Sequence, residues 1–202
     1  MELYSPTLLI SIFMFSFATS MTPGPNNIML LSSGLTFGYK RTIPHTMGVV
    51  LGFPFMTICV GLGLGRVFEA YPMSLTVLKI FGILYLVWLA WHIANSKPKL
   101  QKNDQKAQPL NFIQVTLFQW VSPKNWIKII TAMSVYVTSV SNALPQIIMI
   151  SIIFFSTVLI SANSWALGGV FLKKLIKSET GVKRFNVIMA ILLVLSIVPT
   201  IQ

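Results

Sequence analysis

The sequence Thr22-Pro23-Gly24-Pro25-Asn26-Asn27 interrupts a strongly apolar segment near the start of the chain. Proline lacks a backbone donor and glycine is conformationally permissive, so this run breaks the hydrogen-bond ladder of a helix. A similar run, Ser122-Pro123-Lys124-Asn125-Trp126, interrupts a second apolar segment. In lipid, the backbone groups that such breaks free must face other protein or a water-filled cavity. Paired breaks in two halves of a chain are typical of the substrate site of a secondary transporter.

The composition is that of an integral membrane protein. The chain has 202 residues, of which 54% are hydrophobic and 9% are charged, and its mean hydropathy is +0.76. A soluble domain normally carries about 25% charged residues. The net charge of +11 does not indicate nucleic-acid binding, because the basic residues lie in short loops between apolar segments. We therefore expect membrane lipid, and no nucleic acid, as a partner.

Six apolar segments are candidate membrane spans: 6–37, 43–65, 74–94, 112–140, 145–171 and 185–201. Each approaches or exceeds the ~20 residues needed to cross ~30 Å of hydrocarbon. The first and fourth segments are long, as expected if each contains a break. The predicted fold is an all-α membrane protein of six transmembrane helices, with helices 1 and 4 broken at their proline motifs.

The loops predict the orientation and a division of the chain. One side carries eleven basic residues: Lys40, Arg41, Lys97, Lys99, Lys102, Lys106, Lys173, Lys174, Lys177, Lys183 and Arg184. The other side carries only Arg66. The positive-inside rule places the eleven in the cytoplasm and both termini outside. The polar loop 95–111 then divides the single domain, 1–202, into two three-span repeats, 1–94 and 112–202, of inverted topology.

The first break is a candidate binding site for an anion. We expect Pro23 and Pro25 to end one half-helix, Gly24 to adopt an unusual backbone angle, and Asn26 or Asn27 to cap the half-helix that resumes. Free N–H groups and the positive end of the helix dipole would suit a carboxylate. The alternative is a kink that serves packing alone.

The second break adds positive charge. Lys124 and Lys128 are four residues apart and project from one face of a helix. A lysine at mid-membrane costs about 2.5–3.5 kcal/mol, so a functional role is the default. We expect Lys124, flanked by Ser122, Pro123 and Asn125, to be an interior cation that meets a substrate carboxylate or a backbone carbonyl. The alternative, snorkelling to the interface, suits Lys128 better than Lys124.

Other polar and small residues have two interpretations each. Asn163, inside the fifth span, would bind either another helix or the substrate. Gly48 and Gly52 would form either a packing surface or the face of a homodimer. His45 and His92 would either take part in a proton relay or be solvated at the ends of their spans.

The sequence disfavours several classes of protein. The acidic residues Glu2, Glu69, Asp104 and Glu179 lie outside the predicted spans or at their edges. Metal-ion transport needs several acidic or histidine ligands, so we expect neither a metal nor a cofactor. The glycine-containing stretch 34–40 (GLTFGYK) lacks the ending of a nucleotide-binding P-loop. No constellation of nucleophile, base and acid is evident, so we do not expect an enzyme.

The motifs resemble those of the lysine exporter (LysE/RhtB) family over essentially the whole chain. The first break is similar to the family's T-P-G-P-N signature, and 122–126 (SPKNW) is similar to its N-P-K-A-W-like motif. Residues 82–86 (GILYL) with 88–91 (WLAW) resemble its third-helix G-x-x-Y-L pattern. The chain departs from the family where Ser122 replaces a frequent Asn and Asn125 replaces a small residue.

The resemblance implies a secondary active exporter in the bacterial inner membrane. It would move small neutral amino acids or derivatives, of the cysteine/O-acetylserine or homoserine/threonine type, by alternating access driven by protons. Asn26, Asn27 and Lys124 would hold the substrate carboxylate. The alternatives are a passive channel for small solutes, an integral-membrane enzyme and a membrane subunit without transport activity.

Overall fold

The computed structural model describes residues 5–64, 108–137, 143–176 and 178–195, and scattered positions between 73 and 95. These residues form helices and connecting turns, and no strand occurs among them. Most of the predicted third span, 74–94, and of the central loop, 95–111, lies outside the described residues, as do Arg66 and His92. The prediction of an all-helical membrane protein is confirmed for the described part of the chain.

The described ranges contain seven α-helices. The N-terminal part forms α1 (Pro6–Met21), α2 (Pro25–Phe37) and α3 (Tyr39–Cys59), which continues into a π-helical turn (Val60–Leu64). The C-terminal part forms α4 (Phe112–Val121), α5 (Pro123–Tyr136), α6 (Ala143–Leu175) and α7 (Glu179–Leu195). Helix α7 begins six residues before the predicted sixth span, since Ser178 Oγ accepts the N–H of Gly181 at 3.0 Å and stabilises its first turn.

Both proline motifs interrupt a helix, as the sequence predicts. Helices α1 and α2 meet at an angle of 57° across the three residues 22–24. Helices α4 and α5 are separated at Ser122 alone. A proline stands at the start of each second half-helix, Pro25 in α2 and Pro123 in α5. Proline is favoured at that position because its fixed φ suits the helix and its missing N–H would be unpaired anyway.

Two of the described helices are long and apolar enough to cross a membrane, namely Tyr39–Gly63 and Ala143–Leu175. The bent pair α1 and α2 adds a third if it counts as one span. Helix α4 is apolar but shorter than a span. The arrangement of six spans in two inverted repeats therefore stays a prediction.

The distribution of polarity suits a lipid environment. Large apolar side chains are exposed on several helices, among them Leu117, Ile152 and Phe171 at about 60% of their full area (62%, 59% and 61%). Hydroxyl and amide side chains are instead buried, and Ser16 of α1 bonds with Thr157 of α6 in the interior. In lipid, exposed apolar surface carries no free-energy penalty, whereas polar groups need hydrogen-bond partners within the protein.

Helix α6 lies at the centre and packs against α1, α2 and α3. Two glycines allow α2 and α6 to touch through their backbones. A Cβ atom on Gly34 would lie 2.1 Å from the carbonyl oxygen of Ala166, and one on Gly169 would lie 2.0 Å from that of Leu31. Such small residues let helices approach closely in membranes.

The glycines of α3 make a similar contact with α4. A Cβ atom on Gly48 would lie 2.8 Å from the carbonyl oxygen of Phe112, and one on Gly52 would lie 3.1 Å from the Cα of Thr116. The hydroxyl of Thr116 also donates to the carbonyl of Gly48 at 3.4 Å. Of the two interpretations of these glycines, packing within the chain is confirmed.

Candidate functional site

A small cavity lies where the two helix breaks meet. It provides about 40 Å³ for the centres of water molecules, which is room for about three of them. Seven of the residues that the sequence singles out line it: Gly24, Pro25, Asn26, Asn27, Ser122, Lys124 and Asn125. The rest of the wall comes from α1, α3, α4, α5 and α6: Thr19, Ser20, Val49, Phe53, Gln119, Lys128, Val158, Ser161 and Ala162.

The carbonyl groups at the end of α1 are bound by side chains from three helices. Asn27 Nδ2 donates to the carbonyl oxygens of Ser20 at 2.7 Å and Thr22 at 3.0 Å. Ser161 Oγ of α6 donates to the same Ser20 oxygen at 2.8 Å. The last carbonyls of a helix have no partner within it and carry its partial negative charge. This end of the cavity therefore attracts donors and cations.

Lys124 reaches the first break from the second. Its Nζ donates to the carbonyl oxygens of Thr22 at 2.9 Å and Pro23 at 3.2 Å. Thr22 and Pro23 thus contribute backbone oxygens to the site rather than side chains. Of the two partners expected for Lys124, the structure shows the backbone carbonyl.

Gly24 lies in close contact with Lys124 and does not adopt an unusual backbone angle. Its φ of −179° is extended backbone, which any residue adopts, so the predicted angle is wrong. A Cβ atom there would instead lie 2.9 Å from Lys124 Nζ and 3.2 Å from Lys124 Cδ. Gly24 is also the N-cap of α2, so the prediction that Asn26 or Asn27 caps this helix is wrong as well. Both asparagines lie in the first turn, where their side chains reach other partners.

Gln119 joins the two breaks. Asn26 Nδ2 donates to Gln119 Oε1 at 2.9 Å, and Gln119 Nε2 donates to Asn26 Oδ1 at 3.2 Å. Asn125 Nδ2 donates to the same Gln119 Oε1 at 2.9 Å and to the Gln119 carbonyl at 3.2 Å. Gln119 is fully buried. Gln119 is not among the residues predicted from the sequence, although a glutamine one turn before a helix break in an apolar segment is a usable signal.

The two breaks are built alike. Asn27 and Asn125 each stand two residues after the proline that begins the second half-helix. Each donates its side-chain amide back to a carbonyl in the last turn of the first half-helix. At both breaks, an asparagine side chain therefore binds a backbone carbonyl in the last turn of the preceding half-helix.

Lys128 faces the interior. Its side chain is 7% exposed, and its Nζ donates to Ser20 Oγ at 3.0 Å. The same nitrogen lies 4.4 Å from the centre of the Phe53 ring and 5.2 Å from that of Phe154. Cation–π contacts of this kind are attractive, and more so away from water. Snorkelling was the interpretation that suited Lys128, and it is wrong, because packing against α1 and α3 turns this side chain inward.

The electrostatics of the cavity suit a molecule that carries one positive and one negative charge. None of the residues that line it is acidic, while Lys124 and Lys128 supply two ammonium groups. Gly24 gives α2 no side-chain cap, so the first-turn N–H groups of this helix add a partial positive charge. The α1 carbonyls provide a negative end nearby. The described residues contain no group of three or more side chains that could hold a metal ion.

Some expected residues lie elsewhere. Asn163 does not line the cavity, since its Oδ1 accepts the hydroxyl of Tyr39 at 2.5 Å and its Nδ2 donates to the Leu159 carbonyl. It therefore binds another helix, α3, which was one of its two interpretations. His45 is buried, and neither ring nitrogen has a hydrogen-bond partner among the described residues. Pro123 begins α5 without lining the cavity.

Comparison with known proteins assigns the family. The family model for LysE type translocators matches residues 17–197. Cysteine/O-acetylserine efflux proteins of Escherichia coli (strain K12) and Shigella sonnei (strain Ss046) are each 31% identical to the chain over 191 residues. The alignment covers 94% of this chain and 95% of each relative. No solved structure matches.

The predicted LysE/RhtB family is thus confirmed over nearly the whole sequence. Apolar helices, two broken helices and a cavity at their junction suit a membrane transporter. The protein is a member of the LysE family of membrane translocators, and it is a transporter rather than an enzyme.

Proposed function

We propose that the protein exports small neutral amino acids or close derivatives, of the cysteine/O-acetylserine or homoserine/threonine type, across the bacterial inner membrane. Family membership and the efflux activity for which the relatives are named support export of amino acids. The observation that carries the proposal is the cavity in which the negative end of α1 faces the positive end of α2. A zwitterion offers one charge to each.

The substrate carboxylate binds at the start of α2. The uncapped N–H groups of this helix attract an anion, as helix N-termini generally do. Lys128 is held in the same cavity by Ser20 and two aromatic rings, and its Nζ is a hydrogen-bond donor there. Asn26 and Lys124 complete this polar wall. The carboxylate thereby gives Lys124 and Lys128 an acidic partner, which the lining residues lack.

The size of the cavity favours a small side chain. A cavity with room for about three water molecules has to widen to admit any amino acid, and a small side chain requires less widening than an aromatic or basic one. Val49, Val158 and Ala162 form the apolar part of the wall. A longer substrate has to push these helices apart, which costs packing energy.

Transport proceeds by alternating access, with the breaks as hinges. The equivalent roles of Asn27 and Asn125 support two related halves, which we propose to be inverted repeats with both termini outside the cytoplasm. Opening the cavity requires the link between Asn26 and Gln119 to separate. Protons are the proposed coupling ion.

Reconstituted vesicles test the function. Liposomes that contain the purified protein are loaded with labelled O-acetylserine or cysteine. Efflux is then followed with and without a proton gradient. We expect efflux that depends on the gradient and is accelerated by unlabelled substrate on the other side. Protein-free liposomes provide the control. Flux that ignores both treatments would indicate the passive channel, and no flux of any amino acid in a panel would contradict export.

A further inference from the structure

We propose that the side chain of Lys124 occupies, in the absence of substrate, the subsite that receives the ammonium group of the substrate. The inference rests on the proposed export function and specifies how the zwitterion enters. In this structure Lys124 Nζ lies on the carbonyl oxygens of Thr22 and Pro23. The substrate ammonium takes these two oxygens, and the displaced lysine pairs with the substrate carboxylate.

The chemistry of the subsite matches an ammonium group. Lysine and the α-ammonium of an amino acid each carry one positive charge and three N–H donors. The two oxygens lie in the break directly after α1, next to the negative end of its helix dipole. No lining residue of the cavity is acidic, and Thr22 and Pro23, whose carbonyl oxygens bind Lys124, directly precede the lining residue Gly24. A cation bound there by the protein itself marks the place where a free one binds.

The break is shaped to admit this group. A Cβ atom on Gly24 would lie 2.9 Å from Lys124 Nζ, so a larger residue would fill the space that the ammonium occupies. The backbone of Gly24 is extended and does not itself demand glycine. Close approach of a ligand to the backbone is a recognised use of glycine.

Exchange between lysine and substrate keeps every charge paired. Carbonyls at a break in a membrane protein need a donor, and between transport events Lys124 supplies it. When the amino acid binds, its ammonium replaces Nζ, and its carboxylate provides the displaced Nζ with a partner. Thr22 and Pro23 are exposed, so an incoming ammonium can reach these oxygens. A cation without a carboxylate must displace Lys124 without offering it a new partner and therefore binds poorly.

Removing the Lys124 side chain leaves the subsite free for a simple cation, and binding of such a cation tests the proposal. The probe is methylammonium, and binding is measured by calorimetry on purified wild-type and Lys124→Ala protein in detergent. We expect Lys124→Ala to bind methylammonium at least about tenfold more tightly than wild type, a difference of about 1.4 kcal/mol. Tetramethylammonium, which has no N–H donor, should bind neither. Equal affinity of both proteins for methylammonium would overturn the proposal.

Two controls keep the result interpretable. Lys174→Ala removes an exposed lysine of α6 and should bind methylammonium as wild type does. If Lys124→Ala elutes as an aggregate, Lys124→Ser opens the same space with a polar side chain, and the same comparison decides. A wild-type protein that exports substrate while the affinities stay equal refutes this inference alone. A wild-type protein without export refutes the proposed function, and the methylammonium result still decides whether the subsite exists.

Discussion

Asn26 and Gln119 exchange two hydrogen bonds, from Nδ2 to Oε1 at 2.9 Å and from Nε2 to Oδ1 at 3.2 Å. They stand 93 positions apart in the chain, one just after the first break and one just before the second. A reciprocal amide pair fixes both side chains, and Asn125 shares the same oxygen. The two broken helices are therefore joined by one glutamine.

Replacing that glutamine should destabilise the protein. Gln119→Leu leaves the partly buried amide of Asn26 without its partner, at a cost of about 1–3 kcal/mol, and leaves Asn125 Nδ2 only the backbone carbonyl of residue 119. We expect a lower midpoint of thermal unfolding in detergent and reduced efflux from vesicles. Leu117→Ala, on the exposed side of the same helix, provides the control and should change the midpoint far less. An unaltered midpoint for Gln119→Leu would mean that the link does not contribute to stability.

Lys124→Ala should abolish efflux while membrane insertion is preserved. The variant removes the cation that binds the α1 carbonyls and that we propose to pair with the substrate carboxylate. We expect efflux of the wild-type substrate to fall at least about tenfold, which corresponds to about 1.4 kcal/mol of lost binding. Efflux from loaded vesicles measures this, and Lys174→Ala serves as the matched control. Normal efflux by Lys124→Ala would exclude this lysine from transport.

Lys128→Met should separate function from stability. Methionine keeps an unbranched side chain against Phe53 and Phe154, and its sulfur packs well on aromatic rings. Since no acidic partner is left behind, the unfolding midpoint should stay the same or rise. The KM for export should increase at least about tenfold if the charge binds the carboxylate. A large loss of stability with unchanged KM would assign Lys128 a purely structural role.

Two adjacent glycines of α6, Gly168 and Gly169, provide a matched test of the contact between α2 and α6. Gly169→Ala places a Cβ atom 2.0 Å from the Leu31 carbonyl oxygen, which forces the helices apart. Gly168→Ala places its Cβ atom 3.4 Å from a methyl carbon of Leu31, which is ordinary contact. We expect Gly169→Ala to lower the yield of folded protein and its unfolding midpoint by several degrees, and Gly168→Ala to resemble wild type. Equal behaviour of the two variants would contradict the close crossing of these helices.

Local chemistry made the breaks predictable, whereas tertiary packing decided the details of the site. Proline and glycine act on their own backbone, so the sequence alone located both interruptions. The inward turn of Lys128 depends on Ser20 and Phe53, which lie far away in the chain. The partner of Asn163 is Tyr39, 124 positions away, and no local signal distinguishes that hydroxyl from a substrate. Gly24 looked like a conformational residue because its contact with Lys124 is invisible without the fold.

The glycine contacts have a consequence for how the cavity opens. Gly34 and Gly169 bind a helix of the first half of the chain, α2, to one of the second half, α6. Gly48 and Gly52 do the same for α3 and α4. Helices that touch through their backbones resist sliding past each other, so we expect each of these pairs to move as a rigid unit. The bodies that we propose to move during transport are then mixed, each drawn from both halves of the chain, and the chain passes from one to the other at Gly38, between α2 and α3.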